Sequence, residues 1–206
     1  KGATSVALNV SAVYPGRTLE TYVASPDAGA LLLVGLDPVK IWRHSRRSTY
    51  LVVNPATGAS VQVGGTQGVL YGAWSPSVDV DAATGNRTYH IAYVEENNVY
   101  VSHVGLTPKT GALSVLGTEA LTTDGSETVI NGVNGWLYEE EVIHGATTLW
   151  WSPSGQYLAW LRTDESGVEA YSFPWYVPES PYPEERRVRY TKPGGVNPEA
   201  DLMIYD

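Results

Sequence analysis

The sequence predicts an all-β fold that forms part of a β-propeller with four-stranded antiparallel blades. Short apolar strands alternate with turns roughly every 8 to 12 residues, a spacing typical of antiparallel sheet proteins. A Ser-Pro turn recurs along the chain, and no stretch shows a sustained helical periodicity. The 206 residues include 21 glycines, 13 prolines, 7 tryptophans and 14 tyrosines, a composition that suits turns and aromatic-faced sheets.

The apolar pattern places the strands in order along the chain. Val6, Leu8 and Val10 alternate with other residues and predict a first strand over residues 4–13. After a Ser-Pro-Asp turn, an apolar run over residues 31–34 has the length of a buried strand. Further strands are predicted over residues 39–44, 49–53, 60–63, 89–94, 98–103 and 113–116, within 149–160, over 171–173 and 186–190, and after residue 198.

The Ser-Pro turn marks successive structural units. It occurs at Pro26, Pro76 and Pro153, and an apolar strand follows each copy. The first two copies are 50 residues apart and the last two are 77 residues apart. A period of about 40 to 50 residues with four strands is typical of propeller blades. The third unit therefore arrives 77 minus 50, or 27, residues late, and we expect an insertion between blades that carries function.

Three consecutive glutamates stand out in these extra residues. Glu139, Glu140 and Glu141 lie between Tyr138 and Val142, although residues of those two types tend to be buried. Adjacent carboxylates oppose one another's ionisation, so the cluster is stable where a cation completes it. Two interpretations remain open from the residues alone. The glutamates either begin a short helix and face water, where the helix dipole favours them, or bind a ligand cation or an arginine.

Composition restricts the classes of ligand further. The 13 basic and 22 acidic residues give a formal charge of −9, which disfavours nucleic acids and anionic membranes as partners. There is no cysteine, and the four histidines lack the spacing of a metal site, so the sequence predicts neither a metal nor a cofactor. No apolar stretch is long enough to cross a bilayer.

Two Asn-x-Ser/Thr triplets predict N-glycosylation at Asn9 and Asn86. Such triplets also arise by chance in cytosolic chains. They nevertheless favour an origin in the secretory pathway.

Several long motifs resemble one family. WLYEEEV, TTLWWSPSGQYLAWLR, EAYSFP and YPEERRVRYTKPGGVNP occur in this order, and KIWRHS lies upstream at residues 40–45. Together they resemble the propeller domain of the dipeptidyl peptidase IV family of serine peptidases, from about residue 22 to the end. The resemblance implies that residues 1–206 are about the first half of an eight-bladed propeller, with a short helical insertion carrying the glutamates. It also implies a longer chain whose α/β-hydrolase domain is absent from this sequence.

The resemblance assigns roles to three side chains. It implies that Glu140 and Glu141 bind the free amino terminus of the substrate, and that Arg43 pairs with this acidic site and reaches a substrate carbonyl. Glu139 corresponds to the first glutamate of the motif, which is not an amine ligand. No G-x-S-x-G elbow is present, so no catalytic residue is predicted in this segment.

The implied parent protein is a serine exopeptidase that removes X-Pro or X-Ala dipeptides from free amino termini. An alternative is a catalytically inactive relative whose propeller binds other proteins. The resemblance further implies a homodimer whose contacts lie mainly outside this segment. It places the protein outside the cell or in the vacuolar lumen, either secreted or held as a type II membrane protein.

Overall fold

A computed structural model describes residues 8–206 and confirms an all-β architecture of antiparallel sheets. The first sheet contains β1 (Leu19–Ala24), β2 (Leu32–Lys40), β3 (Arg46–Val53) and β4 (Ser60–Val63) in that spatial order. The second sheet repeats this meander with β5 (Tyr71–Val80), β6 (Arg87–Glu95), β7 (Asn98–Thr107) and β8 (Ala112–Ala120). Each of these sheets is one blade, since consecutive strands pair in sequence order.

The third blade is interrupted twice. Its strands are β9 (Val129–Asn131), β10 (Leu149–Trp151), β11 (Leu158–Asp164) and β14 (Glu199–Tyr205). β9 pairs with the carboxyl half of β11 and β10 with its amino half, so together they form one strand split by residues 132–148. Between β11 and β14 the chain forms a separate two-stranded arm from β12 (Ala170–Trp175) and β13 (Glu184–Arg189).

Apolar side chains of neighbouring blades share cores. Leu33 and Val52 of the first blade pack with Ile91 and Val104 of the second blade. The opposite face of the second blade packs against the third blade, for example through Val101. Because both faces of the second blade are covered, its central strands are apolar on both sides and it fixes the distance between the other two blades.

A repeated hydrogen bond joins the first strands of successive blades. The indole N–H of Trp74 donates to the carbonyl oxygen of Val23 at 3.0 Å, and that of Trp151 donates to the carbonyl oxygen of Ala73 at 3.3 Å. Both tryptophans immediately precede a Ser-Pro pair. The repeated sequence signal therefore corresponds to a repeated contact between blades.

The first Ser-Pro turn adds a polar contact to the second blade. Asp27 accepts hydrogen bonds from Arg87 at 2.5 Å and from the hydroxyl of Tyr89 at 2.7 Å. Partial burial opposes ionisation of Asp27, but hydrogen bonds from Ser25, Tyr89 and Arg87 outweigh it and lower the pKa of this carboxyl. Burial and the Asp27 contact raise the pKa of Tyr89 to about 12, so the phenol remains a donor.

Some predicted boundaries are wrong. Within the strand expected over residues 4–13, residues 1–7 lie outside the described part, and Val10–Val13 forms a short helix, α1, which Asn9 caps through a bond from the Ala12 N–H. The strand expected over residues 39–44 ends instead at Lys40, and residues 41–45 form a turn before β3.

Two features of the repeat also differ from expectation. Pro76 does not lie in a turn but within β5, where the pairing with β6 is shifted between Trp74 and Val78. Proline fits such a bulge because no ladder hydrogen bond is required of it there. Most of the extra residues of the third unit, the 17 residues 132–148, interrupt the split strand formed by β9 and β10 and do not lie between blades. None of the helices in residues 8–206 is long and apolar enough to cross a membrane.

Candidate functional site

The three glutamates lie on a single π-helical turn, Tyr138–Val142, which we call the glutamate helix. The N–H of Ile143 donates to the carbonyl oxygen of Tyr138 at 2.8 Å and closes the wide turn. The helix ends at Val142, and His144, two residues further on, adopts a positive φ of 57°. The ring Nδ1 of His144 lies 3.0 Å from the Glu140 carbonyl oxygen. Consecutive side chains of a helical turn point in different directions, so the three carboxylates have different surroundings.

Arg43 lies in the turn between β2 and β3, residues 41–45, which we call the arginine turn. The Ile41 N–H donates to the Ser45 carbonyl oxygen at 3.0 Å, and the Trp42 N–H donates to the Ser45 hydroxyl oxygen at 3.2 Å. Ser45 thus closes the turn through its backbone and its side chain. The arginine turn belongs to the first blade, whereas the glutamate helix belongs to the third.

Glu139 links the glutamate helix to the arginine turn by two hydrogen bonds. Its Oε1 accepts hydrogen bonds from the backbone N–H groups of His44 at 2.5 Å and Ser45 at 2.9 Å. The residue is 0% exposed, and its Oε2 has no hydrogen-bond partner among the described residues. A buried carboxylate is costly unless it is well hydrogen-bonded, so these two backbone donors are what makes its burial tolerable.

Glu140 holds Arg43 directly. Its Oε2 lies 3.0 Å from Arg43 Nε, and its Oε1 accepts a hydrogen bond from the Arg43 backbone N–H at 3.3 Å. The Glu140 side chain is 8% exposed, whereas that of Arg43 is 72% exposed. Arginine has five N–H donors, so most of the guanidinium donors are open to a further partner.

Glu141 is the third residue to which the resemblance assigns a role, and it does not contact Arg43. It is exposed on the same turn, and no hydrogen bond or ion pair within residues 8–206 involves its carboxylate. Glu140, Glu141 and Arg43 carry formal charges of −1, −1 and +1, which leave one negative charge unbalanced. The surface formed by these three residues is therefore suited to a ligand with a single positive charge.

The protein family follows from a comparison of the whole chain. The family model for the dipeptidyl peptidase IV (DPP IV) N-terminal region matches residues 25–206. The chain belongs to this family. The antiparallel sheets described above thus belong to the N-terminal region of a DPP IV family protein.

Two curated fungal relatives give the scale of the similarity. Dipeptidyl aminopeptidase B of Saccharomyces cerevisiae is 37% identical over 190 residues, which cover 91% of this chain and 21% of that protein. The probable dipeptidyl-aminopeptidase B of Grosmannia clavigera is 36% identical over 200 residues, covering 89% of this chain and 19% of the relative. This chain therefore spans about a fifth of the length of the relatives it matches.

A solved structure shows the same fold. The dipeptidyl peptidase 4 of Porphyromonas gingivalis superposes on all of this chain with a TM-score of 0.77 at 25% identity. The match covers 27% of the length of that protein. The arrangement of three consecutive blades is therefore found in a dipeptidyl peptidase of known structure.

A second buried carboxyl lies next to the site. Glu165 is 3% exposed and lines a cavity of about 330 Å³ together with Trp42, Gly135 and Trp136. Arg43, Glu140 and Glu141 do not line this cavity. A Cβ atom at position 135 would lie only 2.1 Å from Glu165 Oε1, so the Glu165 carboxyl keeps its present place because residue 135 is glycine. Burial raises the pKa of Glu165 to about 7, and the nearby charge of Arg189 opposes this increase.

The two predicted glycosylation sites are accessible in the structure. Asn9 is exposed beside α1, and Asn86 is exposed in the turn before β6. Accessibility is necessary for glycosylation but does not test it, so both sites stay predictions. In residues 8–206, no group of three or more histidine, cysteine or acidic side chains is arranged to hold a metal ion.

Sequence reasoning missed Glu139, Ser45 and Glu165. The family motif gives Glu139 no role as an amine ligand, and no motif assigns a role to Ser45 or Glu165. A signal for Glu139 was present, because a glutamate directly after Trp136, Leu137 and Tyr138 is in a segment that tends to be buried. No comparable signal exists for Glu165, since its burial depends on the entry of the insertion at Gly135.

We expect Glu165→Gln to change the pH dependence of stability. A carboxyl with a folded-state pKa of about 7 and an ordinary value of 4.5 favours folding below the lower value and loses this contribution as the pH rises through 7. The variant should therefore lose less stability than the wild type between pH 5 and pH 8, by an amount on the order of 3 kcal/mol at most. Denaturant unfolding at both pH values measures this difference.

Glu169→Gln is the matched control, since Glu169 is exposed four residues away. It should unfold like the wild type at both pH values. Parallel stability curves for wild type and Glu165→Gln would contradict the prediction.

Proposed function

We propose that the glutamate helix and the arginine turn bind the free amino terminus of a peptide in a serine-type dipeptidyl peptidase. The observation that supports this most directly is the pairing of Glu140 with Arg43 beside the exposed carboxylate of Glu141. An α-ammonium group has one positive charge and three N–H donors, so two carboxylates satisfy it while Arg43 reduces their mutual repulsion. The guanidinium donors that remain free are available to a backbone carbonyl of the same peptide.

The parent protein in this proposal is a longer chain in which residues 1–206 form part of the propeller. Its α/β-hydrolase domain supplies the Ser-Asp-His triad, and the reaction passes through an acyl-enzyme. Family membership and the similarity to the yeast protein, a dipeptidyl aminopeptidase, support dipeptide release. Preference for proline or alanine at the second position rests on the family resemblance alone.

Anchoring of the amino terminus explains why such an enzyme would stop after two residues. The acidic site is fixed on the propeller, and the nucleophile is fixed on the other domain. Only a chain end with a free ammonium fits between them at the correct length. Acylation removes this charge, so an acetylated substrate loses the interaction with both carboxylates.

We expect Glu140→Ala and Glu141→Ala to abolish most dipeptide release in the full-length protein. Removal of one partner from a desolvated charge pair costs about 2 to 5 kcal/mol, which corresponds to a loss of about 30-fold or more in kcat/KM. The measurement is hydrolysis of a Gly-Pro chromogenic amide, with an amino-acetylated Gly-Pro amide beside it. Wild type should cleave only the free-amine substrate.

Glu179→Ala serves as the control, because Glu179 is exposed in the connection between β12 and β13. Near-normal turnover by Glu140→Ala or Glu141→Ala would contradict the assignment. Wild-type protein that cleaves neither substrate would favour the inactive relative that binds other proteins.

We expect Glu139→Ala to raise KM for the same substrate by about tenfold or more. Loss of the carboxylate leaves two backbone N–H groups of the arginine turn without an acceptor, which costs about 1 to 3 kcal/mol of free energy for each group. The arginine turn can then move, and Arg43 is no longer held in position for the substrate. Because this effect is on binding, kcat should change less than KM. Steady-state kinetics across substrate concentration separate the two.

Glu139→Gln distinguishes positioning from charge. Glutamine retains an acceptor oxygen for the His44 and Ser45 N–H groups, so KM should remain near the wild-type value. Equal defects in Glu139→Gln and Glu139→Ala would indicate that the negative charge itself matters. That result would rule out positioning through the backbone as the role of Glu139.

The proposal also includes a glycosylated homodimer in the secretory pathway, either secreted or vacuolar, with or without a type II anchor. Exposure of Asn9 and Asn86 supports the glycans. The homodimer follows from the family resemblance, which puts its contacts mainly outside this segment. The native mass of the full-length protein before and after enzymatic glycan removal tests both parts. A monomer mass, or a mass unchanged by the enzyme, would contradict the corresponding part.

A further inference from the structure

A row of four ionisable side chains crosses the second blade, away from the site described above. Asp79 lies on β5, His90 on β6, His103 on β7 and Glu119 on β8. His90 and His103 are directly opposite one another in the strand register, and Glu119 is opposite Val101, two residues from His103. Alternate residues of a strand share a face, so His90, His103 and Glu119 all lie on the face that packs against the third blade.

The two histidines face each other through the same ring atom. Their Nδ1 atoms are 2.7 Å apart, and their ring planes are nearly perpendicular, at 80°. His90 Nε2 lies 3.0 Å from a carboxylate oxygen of Asp79. The carboxylate can only accept, so His90 carries its proton on Nε2. The lone pair of His90 Nδ1 then accepts the hydrogen bond that His103 Nδ1–H donates.

The Asp79–His90 part of this row resembles the surroundings of metal-bound histidines. A histidine ligand usually donates its second ring N–H to a carboxylate, which fixes the tautomer and directs the other nitrogen to the metal. Asp79 does this for His90. The carboxylate of Glu119 adds negative charge beside His103, and within residues 8–206 neither acid forms an ion pair with a lysine or arginine.

We propose that His90 and His103 bind one divalent transition-metal ion of the zinc and nickel class through their Nδ1 atoms. Imidazole nitrogen suits these ions, whereas magnesium and calcium prefer oxygen ligands. With metal–nitrogen distances of about 2.0–2.1 Å and a tetrahedral angle, the two nitrogens lie about 3.4 Å apart. The rings must therefore separate by roughly 0.7 Å from their present contact, which small side-chain rotations provide.

No net proton release is needed at the histidines. The proton on His103 Nδ1 moves to Nε2 of the same ring, and both Nδ1 lone pairs then point to the metal. Water completes the coordination, since no third histidine, cysteine or acidic ligand is in place within the described part of the chain. The His90 side chain is 20% exposed, which gives the ion a route from solvent.

The ion would join β6 and β7 by a second link besides their backbone ladder. It would also lie near the contact between the second and third blades, where the hydroxyl of Tyr205 on β14 donates to Glu119 at 3.0 Å. A ligand that binds only the folded state of a protein increases the stability of that state by mass action. Binding should therefore be visible both as a titration and as an increase in the thermal midpoint.

The test is titration of chelator-treated full-length protein with NiCl2 and ZnCl2 by isothermal calorimetry. Wild type should bind one more ion per chain than His103→Ala, whose affinity at this site should fall at least tenfold. Asp79→Asn should weaken binding about 10- to 100-fold, the usual effect of losing such a carboxylate. MgCl2 should give no heat at this site.

His144→Gln is the matched control and should bind like the wild type, because its ring nitrogen contacts a backbone carbonyl instead of another histidine. His90→Gln provides a second variant in case His103→Ala does not fold, and circular dichroism in chelator reports folding for each. The same number of ions on wild type and both histidine variants, including none on any of them, would overturn the proposal.

Discussion

The contact between the glutamate helix and the arginine turn depends on one buried carboxylate. Glu139 joins residues 95 positions apart in the chain, and it does so through backbone N–H groups and not through an opposite charge. The backbone of the turn cannot move without leaving these donors or the carboxylate unsatisfied, which is costly in a buried place. The position of Arg43 is therefore set by its own backbone, before its side chain forms any ion pair.

The propeller supplies the rigid distance that this contact requires. The glutamate helix extends from the third blade to the first, with the second blade between them and covered on both faces. Indole hydrogen bonds to carbonyl oxygens repeat from blade to blade and align the first strand of each. A surface assembled from the glutamate helix and the arginine turn is thus as well positioned as the sheets beneath it.

Local patterns in the sequence predict much of this structure. The all-β class and most strand positions follow from apolar alternation, and the glutamate motif identifies Glu140 and Arg43 as partners through the family resemblance. The boundary errors have a physical origin. Ile41 and Trp42 continue an apolar pattern, but the chain turns because Ser45 accepts from the Trp42 N–H, a contact that periodicity does not encode.

Other features could not be predicted because they depend on distant residues. The proline at position 76 predicts a turn locally, yet pairing with β6 draws it into a strand at a bulge. Glu139 and Glu140 are adjacent and identical in type. Only the packing of the helix makes Glu139 an acceptor for backbone N–H groups and Glu140 the ion-pair partner of Arg43. The burial of Glu165 likewise results from where the insertion leaves the sheet.

The split strand has a consequence for how this part of the protein can diversify. Both ends of residues 132–148 return to the same partner strand, β11, and the N–H of Thr148 donates to the carbonyl oxygen of Gly132 to close the gap. The sheet register on either side is therefore set by pairing with β11 and not by the length of the excursion. Residues can therefore be inserted into or deleted from the segment 132–148 while the blade that carries it keeps its geometry.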